Sequence, residues 1–148
     1  MRVYLDMCSI QRPLDSRVQL RITVEAEAVL GILSLCESGK LDLVSSKALD
    51  YEAMRNPLPV RRQYAQAVLA RARFVLGDHD GLWPRTEKLI VQGLKVLDAS
   101  HLAAAELSQA RFLCTCDDRF LRRGRILAVP PLRVVSPLEL IAEVDHDS

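Results

Sequence analysis

Short apolar runs alternate with stretches of helical periodicity along this chain, and that alternation limits what it can fold into. Met1 to Leu5 reads as a central strand closing at Asp6. Residues 7–16 read as a loop containing Pro13, with Asp15 or Ser16 capping the next helix. From about Arg17 to Ser38, Leu20, Val24, Ala28, Leu30 or Gly31, and Leu35 recur at helical spacing, and Gly39 stops the helix. Leu41 to Val44 alternates as a strand would. Ser45 or Ser46 then caps a short helix carrying Leu49, Glu52 and Ala53, which Asn56-Pro57-Leu58-Pro59 ends.

A third helix covers roughly Val60 to Arg73. Gly77, Asp78, Asp80 and Gly81 argue for a loop from Phe74 to Pro84, with a helix from about Arg85 to Gly93. An alanine-rich helix starts at Asp98 and ends near Ser108. Phe112 to Thr115 reads as a buried strand, followed by a short basic helix after Asp117. Leu132 to Val135 is the last strand, and Pro137 opens a final helix to Val144. Residues 145–148 read as a short flexible tail. Strands alternating with helices over one domain, residues 1–144, predict an α/β fold: a three-layer α/β/α sandwich with a mainly parallel sheet of four to five strands.

At 148 residues the chain is long enough for one domain with its own core. Hydrophobic content of 49% with 26% charged residues excludes disorder. No apolar run approaches the roughly 20 residues that span a bilayer, and Asp6, Arg12 and Asp15 break any signal-peptide pattern, so the expected location is cytoplasmic. A net charge of +1 gives no global basic field. Arginine supplies most of the basic residues, as a GC-rich genome would also dictate, and its planar fork suits phosphate. The cluster Arg119, Arg122, Arg123, Arg125 beside Asp117 is more telling than the total. Among the four cysteines, Cys114 and Cys116 share a sheet face, while Cys8 and Cys36 are distant and no second paired motif exists. They read as small buried hydrophobes rather than zinc ligands.

Open parallel sheets gather ligands beyond the carboxyl ends of their strands. Asp6 and Asp117 fall at such ends, Asp98 at a helix start whose positive end favours an anion, and Glu52 on the helix after the second strand. The fold therefore gives these four acids a physical reason to converge. Carboxylates pressed together against a core raise one another's pKa unless a cation neutralises them. Mg²⁺ or Mn²⁺ takes hard oxygen ligands of this kind.

Four segments carry a family likeness: Tyr4-Leu5-Asp6; Leu43-Val44-Ser45-Ser46 with Leu49 to Glu52 behind it; Gly93 through Asp98-Ala99-Ser100-His101-Leu102-Ala103; and Phe112 through Thr115-Cys116-Asp117-Asp118-Arg119-Phe120. Spread over almost the whole chain, they resemble a PIN domain of the kind found in VapC-type toxins and related ribonucleases. The resemblance implies metal-dependent RNA cleavage, with Asp6, Glu52, Asp98 and Asp117 as the catalytic and metal-holding positions and Mg²⁺ or Mn²⁺ as cofactor. It implies an RNA substrate, a small antitoxin protein as partner, and a homodimer for which Leu69, Val75 and Leu76 offer apolar surface. Hydrolysis would leave a 5′-phosphate and a 3′-hydroxyl, with one metal or two. Met7-Cys8-Ser9 departs from the small polar pair that many PIN domains place after the first Asp; either Ser9 or Cys8 takes that polar position.

Neighbouring residues carry two readings each. Asp118 is a fifth acid or a capping, salt-bridged surface residue. Thr115 orients Asp117 or merely fills a strand position. His101, three residues after Asp98 on the same helix face, is a general base or, with better odds, a satisfied structural histidine. Arg12, Arg122 and Arg123 steer RNA phosphates or are ordinary surface arginines. Glu25 and Glu27 read as exposed, and Trp83 as a plug at the core edge or an interface rather than a base-stacking platform. The competing function is a noncatalytic PIN-like scaffold binding RNA or protein. A phosphatase of the haloacid dehalogenase type wants Asp-x-Asp where position 8 is Cys, and a receiver domain wants paired N-terminal acids that are not evident.

Overall fold

Five parallel strands run in the order β3-β2-β1-β4-β5, with the first strand of the chain at the centre. This arrangement comes from a computed structural model, described for residues 1–145 in full and for the backbone through Asp147. β1 (Arg2–Leu5) pairs with β2 (Asp42–Ser46) on one side and β4 (Phe112–Cys114) on the other, so that Tyr4 lies beside Val44 and Leu113. β3 (Phe74–Leu76) and β5 (Arg133–Val135) form the two edges. Helices cover both faces: α1 (Met7–Gln11), α2 (Leu20–Glu37), α3 (Lys47–Arg55), α4 (Pro59–Leu69), α5 (Leu82–Val91), α6 (Val96–Leu107), α7 (Asp118–Leu127) and α8 (Pro137–Asp147). The expected three-layer α/β/α, PIN-like sandwich is the one observed, with five strands.

Burial explains the pattern. Val3, Tyr4 and Leu5 are all fully buried, as are Leu113 and Cys114, because a central parallel strand is covered on both faces and reads as a continuous apolar run. On α6, Ala99, Ala103 and Ala105 are fully buried, and their small side chains let that helix lie close to the sheet beside Leu102. Truncating a side chain such as Leu113 to Ala costs about 2–5 kcal/mol. Gly39 adopts φ 86°, in the left-handed region, which lets Lys40 N–H donate to Leu35 O at 3.0 Å and closes α2.

The sheet order places a switch point between β1 and β4, where neighbouring strands send the chain in opposite directions. Asp6 leaves β1 and Asp117 comes after β4 at this crevice.

Several expectations need correction. Residues 7–16 are not a loop: Asp6 caps α1, Ile10 is buried, and Arg12–Leu14 form a 3₁₀ turn. Residues 74–84 hold β3 and the start of α5; a three-residue edge strand is too short to show alternation. α6 begins at Val96 rather than at Asp98, which leaves Asp98 in its first turn. α8 continues to Asp147 because nothing after Val144 breaks a helix, so the tail expected at 145–148 is helical through Asp147, and Ser148 lies outside the described residues. Leu69 and Leu76 are core residues, leaving only Val75, 60% exposed, of the surface suggested for a homodimer. Trp83 is also 60% exposed rather than a plug of the core edge. Among the described residues, no helix is long and apolar enough to cross a membrane.

Candidate functional site

Asp6 occupies the turn from β1 into α1 in extended conformation, as an N-cap residue does. Its Oδ1 accepts from Ser9 N–H at 3.1 Å and from the Cys8 thiol at 3.1 Å. Only 5% of the residue is exposed. Burial pushes its carboxyl above the usual range, against the pull of donors on Thr115, Cys8 and Ser9 and of His101.

Asp117 caps α7 in the same way, its Oδ1 accepting from Phe120 N–H at 3.0 Å. Its own N–H donates to Thr115 Oγ1 at 3.1 Å. The fully buried Thr115 thus bonds the Asp117 backbone and stands within reach of Asp6 as well. Asp98 is half-buried in the first turn of α6. Burial raises its carboxyl to about 6, and the charges of Asp6 and Asp117 add to the push, opposed by His101 and Lys95.

Glu52 reaches the site from α3, held by His101. The imidazole is 2% exposed; its Nε2 contacts Glu52 Oε1 and its Nδ1 lies 2.7 Å from the Tyr4 hydroxyl. Tyr4 in turn lies 2.7 Å from Ser46 Oγ, which accepts from Leu49 N–H at the start of α3. One assignment satisfies every partner: Ser46 donates to Tyr4, Tyr4 to Nδ1, and Nε2–H to the Glu52 carboxylate. Burial keeps the Tyr4 phenol protonated by raising it far above its ordinary value. His101 is thus the satisfied histidine favoured from the sequence, and it also positions an acid.

The four acids, His101 and Cys8 line one cavity of about 430 Å³. Of the two candidates for the polar position after Asp6, Cys8 faces this cavity; Ser9 points inward and donates to Cys114 O at 3.1 Å. Asp118 does not line the cavity and pairs with Arg21 at 2.7 and 2.8 Å. Arg12 is not free to steer a substrate, because Asp15 and the buried Glu25 each hold it at 3.0 Å. Glu25 is 4% exposed, contrary to expectation; Arg21 one turn earlier on α2 was its only sequence signal. Arg122 is exposed beside Asp118, while Arg123 borders a cleft with Lys95 and Arg119, next to Asp98 and Asp117. Sequence reasoning did not single out Lys95, which lines the cavity, or Tyr4 and Ser46, which stand behind His101.

Among the described residues, no three His, Cys, Asp or Glu side chains stand together as a ready-made metal site. The acids share a cavity wall rather than one coordination point. Their chemistry still suits a divalent cation: the donors are hard carboxylate oxygens, and the strain on Asp6 and Asp98 is what such a charge relieves.

No protein-family model matches the chain, and no curated protein does. Among solved structures, the chain is similar to VapBC2 from Rickettsia felis bound to a DNA fragment from its promoter, at a TM-score of 0.58 and 14% identity over 92% of this chain and 98% of that one. FitAcB from Neisseria gonorrhoeae gives 0.54 and 12%, again over 92% and 98%. PAE2754 from Pyrobaculum aerophilum gives 0.56 and 18% over 99% of this chain and 90% of that one. At these identities the likeness shows the fold alone. Membership of the PIN-domain ribonuclease family, expected from the four segments, is therefore corrected: the finding is a shared fold with VapBC2, FitAcB and PAE2754, and no family model supports the assignment.

Proposed function

We propose that this chain is a metal-dependent endoribonuclease and the toxin of a type II toxin–antitoxin pair. The observation that carries this reading is the meeting of Asp6, Glu52, Asp98 and Asp117, drawn from four separate elements, in one cavity at the switch point of the sheet. The fold shared with VapBC2 and FitAcB supports the toxin–antitoxin part, with a small antitoxin protein as partner.

Asp6, Asp98 and Asp117 would hold Mg²⁺ or Mn²⁺, with Glu52 completing the set directly or through a water. When bound, such an ion makes water a better nucleophile at neutral pH and offsets charge on the phosphoryl oxygens. The chain's own residues do the rest. His101 holds the Glu52 carboxylate at the cavity wall, and Tyr4 fixes the imidazole. Thr115 orients Asp117. Lys95, Arg119 and Arg123 offer cations at the edge of an acidic centre that would otherwise repel RNA phosphates. In-line hydrolysis leaves a 5′-phosphate and a 3′-hydroxyl.

The test is cleavage of a labelled structured RNA by the purified chain with Mn²⁺, Mg²⁺ or EDTA, beside Asp6→Asn. Metal-dependent cleavage absent from the folded variant is the expected result. Full activity in folded Asp6→Asn, or neither metal binding nor cleavage by the wild type, overturns the reading.

A further inference from the structure

A second cavity, of about 290 Å³, adjoins the acidic one where α3, β3, α5 and α6 come together, and Leu97 lines both. Its wall mixes apolar side chains, Leu76, Leu82 and Leu97, with the polar Lys47, Tyr51 and Ser100. Apolar surface with a few polar groups set into it suits a flat heteroaromatic ring, whose faces are apolar and whose edges carry donors and acceptors. The hydrolytic chemistry proposed above leaves this space unused.

Tyr51 is the aromatic member of that wall, and it stays 48% exposed. Arg55, one turn later on α3, donates to the phenol oxygen at 2.9 Å and sets its guanidinium 5.2 Å from the ring centroid. The pair restrains the ring without burying it, so an aromatic surface is held in place before anything stacks on it. Charge points the same way. Lys47 lines the cavity, paired with the exposed Asp78, and Arg55 bonds a neutral phenol beside it. Two cations at a cavity that shares a wall with the cleavage centre favour a strand of RNA over a peptide as the occupant.

We propose that this second cavity is a nucleobase subsite in which Tyr51 supplies the stacking surface; its occupant rests on the nuclease reading above. A base leaves the stack of its own strand and lies against the Tyr51 ring, while the phosphate next to it lies across Leu97 among the acids. Stacking accepts every base, because each has a π face, so the subsite anchors the strand without demanding a sequence. Lys47 and Ser100 supply the polar contacts for the edge of the base.

The experiment titrates the full chain, in EDTA, into a labelled single-stranded RNA oligonucleotide and into an abasic strand of the same length, reading fluorescence anisotropy. The expected result is that Tyr51→Ala weakens binding of the base-bearing strand by about fivefold or more, leaves binding of the abasic strand unchanged, and keeps the wild-type melting temperature. Tyr51→Phe, which keeps the ring and loses the hydroxyl, retains most of the affinity. An equal loss for both strands, or no loss for either, overturns the subsite; the second result leaves the cavity to a protein partner. Because the readout is binding without metal, the two readings fail separately. Tyr51-dependent binding of bases by a chain that never cleaves RNA sinks the nuclease reading alone, and metal-dependent cleavage by a chain indifferent to Tyr51→Ala sinks the subsite alone.

Discussion

His101 on α6 touches Glu52 on α3 through Nε2 while its Nδ1 takes the Tyr4 hydroxyl from β1. Three elements thus meet at one imidazole, and the acid at its end inherits their rigidity. His101→Ala is expected to free Glu52 and strand the Tyr4 hydroxyl without a full set of partners. Leaving a buried polar group unpaired costs about 1–3 kcal/mol. Urea denaturation should show that loss, and cleavage should fall by at least tenfold with the metal requirement unchanged. Wild-type stability and rate in the variant would refute the positioning role.

Thr115 tests orientation without touching an acid. Thr115→Val keeps the shape but removes the hydroxyl that accepts from Asp117 N–H and stands near Asp6. Stability should drop by about 1 kcal/mol or more, and metal affinity measured by calorimetry should weaken, while Thr115→Ser recovers both. Equal behaviour of the Val and Ser variants would argue against the hydroxyl.

Asp98 sets a pH dependence whose sign comes from its environment. Its folded pKa of about 6 lies above the ordinary 3.8, so the native state binds this proton more tightly than the unfolded state. Stability from this group is therefore greatest at low pH and is lost as pH rises from about 4 to about 6. The difference in unfolding midpoint between wild type and Asp98→Asn should shift across that window in metal-free buffer. Saturating Mn²⁺ should reverse the trend at neutral pH, because a cation favours the ionised form. A difference that stays flat from pH 4 to 7 would count against the placement of Asp98.

Arg12, held by Asp15 and Glu25, contrasts with Arg123, which the proposed function turns toward RNA. Arg123→Glu should weaken RNA binding and flatten its salt dependence, with little effect on melting temperature. Arg12→Ala should lower the melting temperature, since it leaves the buried Glu25 carboxylate short of a partner, without altering the salt slope. Filter binding at several salt concentrations, paired with thermal melts, checks both; the opposite assignment of effects would overturn this one.

Much of the architecture was legible because central parallel strands are apolar runs and their ends are marked. Val3-Tyr4-Leu5-Asp6 and Phe112-Leu113-Cys114 announced themselves, and topology alone could bring together the three acids at element ends and Glu52 on the helix after the second strand. What escaped reading was short or long-range. β3 has only three residues and lies on an edge, so no alternation could build up. α1 is five residues long and depends on the Asp6 side chain for its start, a contact that composition does not reveal. Tyr4, Ser46, His101 and Glu52 form a relay across positions far apart in the chain, and Glu25 is buried by an arginine from the turn after α1. Such pairings exist only after the chain has folded.

Asp6 and Asp117 each commit one carboxylate oxygen, Oδ1 in both cases, to starting a helix. Shape and chemistry are thereby divided between two atoms of the same side chain. Serine or asparagine at either position would still begin α1 or α7, because a single neutral oxygen suffices for a cap. On the proposed nuclease reading, a lineage carrying this fold can thus shed its reactivity one atom at a time and keep its outline, so an inert descendant would be betrayed by its capping residues and not by its silhouette.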